Sequence, residues 1–268
     1  MAQNAVMRLT LKSQCLRSVV DVNVLYPARK KMNFGHGNAT EMTLCKREGE
    51  LQVLYLLHGG GGDYSDWLNN TRLALFAEDH PSLLIVMPTI KEFQNFRDDV
   101  DYYKYVLEEL PEYIGRLFPI SKKREDTFIA GLSMGGYLSY RIAMLNPEKY
   151  GCVGSFSSPL DIVQDMIERH MGADNMFSPD QLRNDPFREI RTIVDNNLKK
   201  GVSMPKTFQS CGTEDMTYAI NCSMREFLTE RIPDHTYMEG PGVHNWYFWD
   251  EFVEKFLNWL PLKDKEGK

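Results

Sequence analysis

The spacing of hydrophobic and polar positions switches repeatedly between two periods along the chain, and the order of the switches predicts an architecture. Residues 51–57, Leu-Gln-Val-Leu-Tyr-Leu-Leu, form a nearly continuous apolar run, the pattern of a central strand buried on both faces of a sheet. Residues 83–87 repeat that pattern and are closed by Pro88, while 19–26 alternate with a period of two. Further short β-prone runs cover 127–130, 152–156, 207–211 and 235–238. Between them the period becomes helical. Tyr105, Val106, Leu110, Tyr113, Ile114 and Leu117 mark a helix over 102–118; another spans 136–146 and ends before Pro147, and 246–259 closes the chain. Strands alternating with helices in this way predict the α/β class, with a mainly parallel central sheet and helices on both faces.

Residues 159–205 interrupt the rhythm. They are long, polar and partly helical, and they join two predicted strands. Ligands of open α/β sheets sit beyond the carboxyl ends of the strands, so this helical insertion reads either as a surface excursion or as a cap over a site. There is no repeat and no linker, and residues 1–268 read as one domain.

Composition narrows the classes. At 268 residues and 43% hydrophobic content the chain can build one large core. The net charge of −6 argues against nucleic acid or an anionic membrane as partner. Residues 1–17 carry no apolar run of secretory length, and no stretch approaches the length of a membrane-spanning helix. Five cysteines (Cys15, Cys45, Cys152, Cys211 and Cys222) show no C-x-x-C spacing, which predicts reduced thiols in a cytoplasm and no metal site. No cofactor is expected, and a homo-oligomer is left open.

The chemistry enters at Gly131-Leu132-Ser133-Met134-Gly135, a G-x-S-x-G nucleophile elbow between a predicted strand and a predicted helix. A serine hydroxyl needs a base, a carboxylate to orient that base, and donors for an oxyanion. The chain order Ser, Asp or Glu, His sets aside His36, His58 and His80 as the base and leaves His170, His235 and His244. His170 falls in the insertion and His235 within a strand. His244 lies in a Gly- and Pro-rich loop after the last strand, which favours it. The carboxylate is Asp215, with Glu214 as the alternative, just after the 207–211 run. The oxyanion donors are the backbone amides of Met134, after the serine, and of Gly60 or Gly59 in the His58-Gly59-Gly60-Gly61-Gly62 loop. His58 would brace that loop. Trp67, Phe96, Tyr137 and Trp246 are candidates to stack against a substrate ring or to fill the core. Asp63, Asp66 and Asp99 are candidates to contact substrate hydroxyls or to lie on the surface.

These motifs, in this order, resemble the bacterial esterase D-like family of α/β hydrolases, which includes tributyrin, acetyl and feruloyl esterases. The resemblance rests on Leu56-Leu57-His58-Gly59-Gly60 with Asp66-Trp67, Glu108-Glu109-Leu110 in the 102–118 helix, the elbow through Tyr137, Gly212-Thr213-Glu214-Asp215, and Gly242-Val243-His244-Asn245-Trp246. It implies an α/β-hydrolase fold and a Ser133, Asp215, His244 triad. It also implies a carboxylesterase acting through an acyl-enzyme on small-molecule esters with short acyl groups, such as acetylated sugars. Feruloyl esterase, S-formylglutathione hydrolase, acyltransferase and a non-catalytic binding module are the alternatives. Leu138-Ser139 stands where relatives often carry a Gly-Ala pair, and 159–205 matches least.

Overall fold

The computed structural model describes residues 4–27, 49–90, 101–168 and 179–263. His36, Cys45, Phe96, Asp99 and His170 lie outside the described residues, as does the 169–178 part of the insertion. Eight strands form one sheet in the order β1-β2-β4-β3-β5-β6-β7-β8. They are β1 Asn4–Ser13, β2 Ser18–Pro27, β3 Gln52–Leu57, β4 Leu83–Pro88, β5 Thr127–Leu132, β6 Cys152–Phe156, β7 Lys206–Gly212 and β8 His235–Gly240. The hairpin β1–β2 joins β4 antiparallel, and every pairing from β4 to β8 is parallel. This is the mainly parallel α/β sheet that the alternating periods predict, in the α/β-hydrolase arrangement that the family resemblance implies.

The helices are α1 Asp66–Asn70, α2 Leu73–Phe76, α3 Tyr102–Lys104, α4 Leu110–Leu117, α5 Met134–Leu145, α6 Ile162–Glu168, α7 Pro179–Leu182, α8 Ile190–Lys199, α9 Tyr218–Arg231 and α10 Trp246–Trp259. A π-helical turn, Tyr105–Glu109, joins α3 to α4. The predicted 102–118 helix is therefore continuous in space but changes its winding in the middle.

The pleat divides the central strands between two cores. Val53, Tyr55 and Leu57 of β3 face Tyr105, Leu110, Leu138, Ile193 and Leu228 on one side. Leu54 and Leu56 face Trp67, Leu73, Phe252 and Phe256 on the other. Both faces of β3 are covered, which is why its sequence shows no alternation. Burying each such side chain stabilises the fold by roughly 1.5–3 kcal/mol, so the parallel strands anchor everything attached to their carboxyl ends.

Four elements escaped the sequence pattern. The edge strand β1 alternates only between exposed and half-buried positions, so its apolar signal is weak. The segment 218–231 forms α9, although its apolar residues (Ile220, Met224, Phe227, Leu228) are separated by many polar ones. The short α1 and α2 are held by tertiary contacts, among them a bidentate Arg72–Asp250 pair to α10 at 2.9 and 2.7 Å. In the insertion, the described residues form α6, α7 and α8, between β6 and β7.

Candidate active site

Parallel strands end at the same edge of the sheet, and the residues after them meet there. Ser133 directly follows β5 with φ +51° and ψ −125°, in the left-handed region that a β-carbon disfavours. Its neighbours permit this sharp turn because they are glycines. A β-carbon on Gly131 would come within 2.5 Å of the Gly135 carbonyl carbon, and one on Gly135 within 2.1 Å of the His58 carbonyl oxygen. Ser133 N–H donates to the Phe156 carbonyl of β6 at 2.8 Å, which fixes the turn against the next strand. Leu138 and Ser139 are buried in an unbroken α5, and the Ser139 hydroxyl donates back to the Gly135 carbonyl at 2.8 Å.

His244 lies four residues past the end of β8, in the loop that leads to α10, and that loop is restrained from both sides. Thr213 N–H and Glu214 N–H donate to the carbonyls of Gly240 and Gly242 at 2.9 and 3.0 Å. The Glu214 carboxylate accepts from Gly242 N–H at 2.5 Å. Glu214 is therefore engaged with the loop backbone, and Asp215 is the carboxylate that reaches the imidazole. Gly242 has φ +151° and leaves space beside Gly212, where a β-carbon would lie 2.2 Å from the Gly242 carbonyl oxygen. On the far side, Asn245 caps α10 by accepting from Tyr247 N–H and Phe248 N–H. The His244 ring packs edge-on against Trp249, with centroids 5.0 Å apart.

These restraints bring three side chains into a row. His244 Nδ1 lies 3.0 Å from both Asp215 oxygens, and Nε2 lies 3.1 Å from Ser133 Oγ. The Asp215 side chain is fully buried and that of His244 is 17% exposed. Burial alone would raise the Asp215 pKa, but the hydrogen bonds from His244 and Thr217 hold it below the ordinary carboxylate value. Bonds to a charged acceptor contribute roughly 1.5–3 kcal/mol each, so two or three of them outweigh the desolvation. Asp215 is thus an anion facing Nδ1–H, which leaves the Nε2 lone pair for the serine proton.

The glycine loop follows β3. His58 is buried, and Ile90 N–H donates to its Nε2 at 2.8 Å. The ring proton therefore sits on Nδ1, which faces the Gly59 carbonyl at 2.6 Å. Burial pushes the His58 pKa down, so the ring stays neutral and keeps both bonds. Pinning the Gly59 carbonyl inward turns the Gly60 N–H of the same trans peptide the other way. Gly59 itself lies beside Ser133: a β-carbon there would be 3.5 Å from Ser133 Cβ. Met134 N–H is in the first turn of α5, where backbone donors lack helical partners.

The aromatic candidates divide. Trp67 is 1% exposed and donates its indole N–H to the Leu57 carbonyl at 3.0 Å, so it belongs to the core. Tyr137 is also buried, and its hydroxyl donates to the Arg188 carbonyl, tying α5 to the insertion. Neither offers a polar group or an open face to a substrate, because α5 and α1 turn these positions inward. Trp246 is half-buried between Trp67 and Trp249, edge-on to both. Asp63 and Asp66 hold the turn after the glycine loop: Asp63 accepts from Ser65 N–H and Oγ, and Asp66 from Asp63 N–H. His235 lies in β8 with Nδ1 2.8 Å from Thr207 Oγ1, away from the serine. A cavity of about 600 Å³ bounded by Gln14, Arg17, Lys104 and Glu108 shares no residue with this site. The sequence reading passed over Thr217, two residues beyond Asp215, whose N–H and hydroxyl both bond that carboxylate. The Asp-x-Thr spacing ahead of a helix was the available signal.

A serine on a strained strand-to-helix turn, facing an imidazole at the carboxyl edge of such a sheet, defines an α/β-hydrolase of the serine-hydrolase class. Residues 40–258 match the family described as "Putative esterase", and the chain belongs to that family. It is 28% identical over 225 residues to an acetyl esterase of Caldicellulosiruptor saccharolyticus, covering 78% of this chain and 83% of that protein. Among solved structures it is similar to an S-formylglutathione hydrolase of Staphylococcus aureus, with a TM-score of 0.79 and 24% identity over 96% of this chain and 98% of that one. A fluorophosphonate-binding serine hydrolase of the same organism gives a TM-score of 0.77 at 24% identity, over the same shares of the two chains. Among the described residues, no helix is long and apolar enough to cross a membrane.

Proposed function

We propose that this esterase hydrolyses short-chain acyl esters, acetyl esters of sugars or similar small alcohols, through an acyl-enzyme on Ser133. The observation that carries the reading is the row Asp215–His244–Ser133, with hydrogen-bond distances of 3.0 and 3.1 Å. His244 Nε2 takes the Ser133 proton as Oγ attacks the ester carbonyl, and Asp215 stabilises the imidazolium. The amides of Gly60 and Met134 receive the oxyanion, and neither has a hydrogen-bond partner among the described residues. The imidazolium then protonates the departing alcohol. Water enters, gives its proton to Nε2, and releases the acid.

The similarity to an acetyl esterase over most of both chains supports the short acyl group. The unpaired thiols of Cys15, Cys152, Cys211 and Cys222 support a reducing compartment such as the cytoplasm. p-Nitrophenyl esters from acetate to octanoate, assayed beside acetylated xylan oligosaccharides and methyl ferulate, test the substrate. The shortest acyl chains are expected to give the highest kcat/KM, and a preference for octanoate would reject the short-acyl assignment. Ser133→Ala is expected to lower kcat by on the order of 10⁴-fold and to abolish fluorophosphonate labelling. Near-normal hydrolysis by that variant would remove Ser133 from the mechanism.

A further inference from the structure

Behind Asp215 lies a chain of buried polar side chains that the hydrolytic mechanism does not use. Gln209 of β7 and Asn221 of α9 are fully buried, and Thr217 and Asp215 nearly so. Gln209 Nε2 donates to the Asn221 carbonyl and to Asn221 Oδ1, each at 2.9 Å. Asn221 Nδ2 lies 3.1 Å from Thr217 Oγ1, 2.9 Å from the Thr217 carbonyl and 3.1 Å from the Ser158 carbonyl. Thr217 Oγ1 and N–H lie 2.8 Å from Asp215 Oδ1.

The polarity of this chain is fixed by elementary donor and acceptor counting. Gln209 faces two oxygens, so its amide nitrogen must point at them. Asn221 then presents Oδ1 to Gln209 and its NH₂ group to Thr217. An amide NH₂ cannot accept, and the Cys211 sulfur 3.7 Å away is a weaker acceptor than the carboxylate at 2.8 Å, so the single hydroxyl proton of Thr217 is directed at Asp215. Each link donates towards the carboxylate, and His244 donates to it from the opposite side. An ionised Asp215 accepts from His244 Nδ1–H and from the N–H and hydroxyl of Thr217, bonds that protonation of the carboxylate would weaken. A carboxylate rotated about its own axis would lose the two bonds to Thr217.

We propose that Thr217 and Asn221 are positioning residues for the Ser133–His244–Asp215 centre, the outer links of a one-directional hydrogen-bond chain from Gln209 that fixes the rotation and the ionised state of Asp215. This rests on the serine-esterase reading above. Neither residue touches the nucleophile, so their contribution falls on the chemical step and leaves substrate binding alone. Charged-acceptor bonds of this kind correspond to about 10- to 100-fold in rate.

The test compares Thr217→Ala with Thr217→Ser, using p-nitrophenyl acetate turnover, fluorophosphonate labelling of Ser133 and thermal melting of each protein. Both replacements are smaller than threonine, so neither overpacks the core. Thr217→Ala is expected to lose about 10- to 100-fold in kcat with KM within twofold of wild type, and to label proportionally more slowly. Thr217→Ser keeps the hydroxyl and is expected to retain kcat within about threefold. Asn221→Ser, which leaves every donor of Asp215 in place, is expected to lose about 3- to 10-fold in kcat, and it carries the test if Thr217→Ala does not fold. A folded Thr217→Ala with unchanged kcat, equal losses in the serine and alanine variants, or unchanged kcat in Asn221→Ser would each overturn the proposal. Wild-type protein that neither turns over nor labels would instead overturn the esterase reading itself.

Discussion

At the scale of single residues, the site separates two adjacent carboxylates by what faces them. Glu214 accepts from the Gly242 amide and holds the loop, while Asp215 is buried against the imidazole. Sequence order left both available, because they follow β7 by two and three residues. Their difference arises from the turn at Gly212–Asp215, in which Asp215 N–H bonds back to the Gly212 carbonyl at 3.1 Å. Asp215→Asn is expected to lower kcat for p-nitrophenyl acetate on the 10⁴-fold scale known for triad aspartates. Glu214→Gln keeps an acceptor oxygen for Gly242 and is expected to stay within about fivefold of wild type. A reversed ranking of the two variants would reassign the acid.

At the scale of elements, the β5–α5 turn works only because two backbones touch. Gly135 lies against the His58 carbonyl, so the first turn of α5 packs directly on the glycine loop proposed to supply the second oxyanion donor. Gly135→Ala would put a β-carbon 2.1 Å from a backbone oxygen that cannot swing aside. Overpacking of that kind costs about 1–3 kcal/mol and displaces what it presses on. The expected outcome is a lower midpoint of urea unfolding together with a fall in kcat larger than the stability loss explains, since the loop moves with the helix. Unchanged kcat in this variant would show that the loop amides do not depend on the elbow helix. The insertion is tied to the same helix: Tyr137 and Arg141 donate to the carbonyls of Arg188 and Phe187. This explains why Tyr137, close to Ser133 in sequence, is buried.

At the scale of the whole molecule, stability is expected to depend on pH through buried histidines. His235 in β8 bonds Thr207 through Nδ1, has no hydrogen-bond partner at its buried Nε2 among the described residues, and burial pushes its pKa down to about 4. The unfolded chain binds that proton near pH 6.5 and the folded chain only near pH 4. Stability is therefore complete above pH 6.5 and declines as pH falls towards 4. Buried His58, also shifted downwards, adds to the decline. Urea unfolding followed from pH 7 to 4.5 is expected to show a falling midpoint, and His235→Gln a shallower fall. An identical slope in that variant would place the acid sensitivity elsewhere. Below this window Asp215, whose pKa the fold lowers, becomes the group whose protonation costs stability.

Much of this was legible from the chain. The apolar runs at 51–57 and 83–87 and the closing helix at 246–259 appear as β3, β4 and α10, since burial on both faces or along one stripe leaves its period in the sequence. The elbow glycines were legible because a steric requirement for no β-carbon admits one residue type. The sequence by itself therefore determined the order of the buried strands and of the strongly periodic helices, the strained serine and the short set of histidines and carboxylates that could serve it. Tertiary structure decided what depends on which way a side chain faces. It turned Trp67 and Tyr137 into the core, set Asp215 and not Glu214 on the imidazole, and joined Thr217, Asn221 and Gln209 into one chain behind it. Those outcomes arise from contacts between β7, α9 and the β8–α10 loop, and distances between separate elements leave no period along the chain.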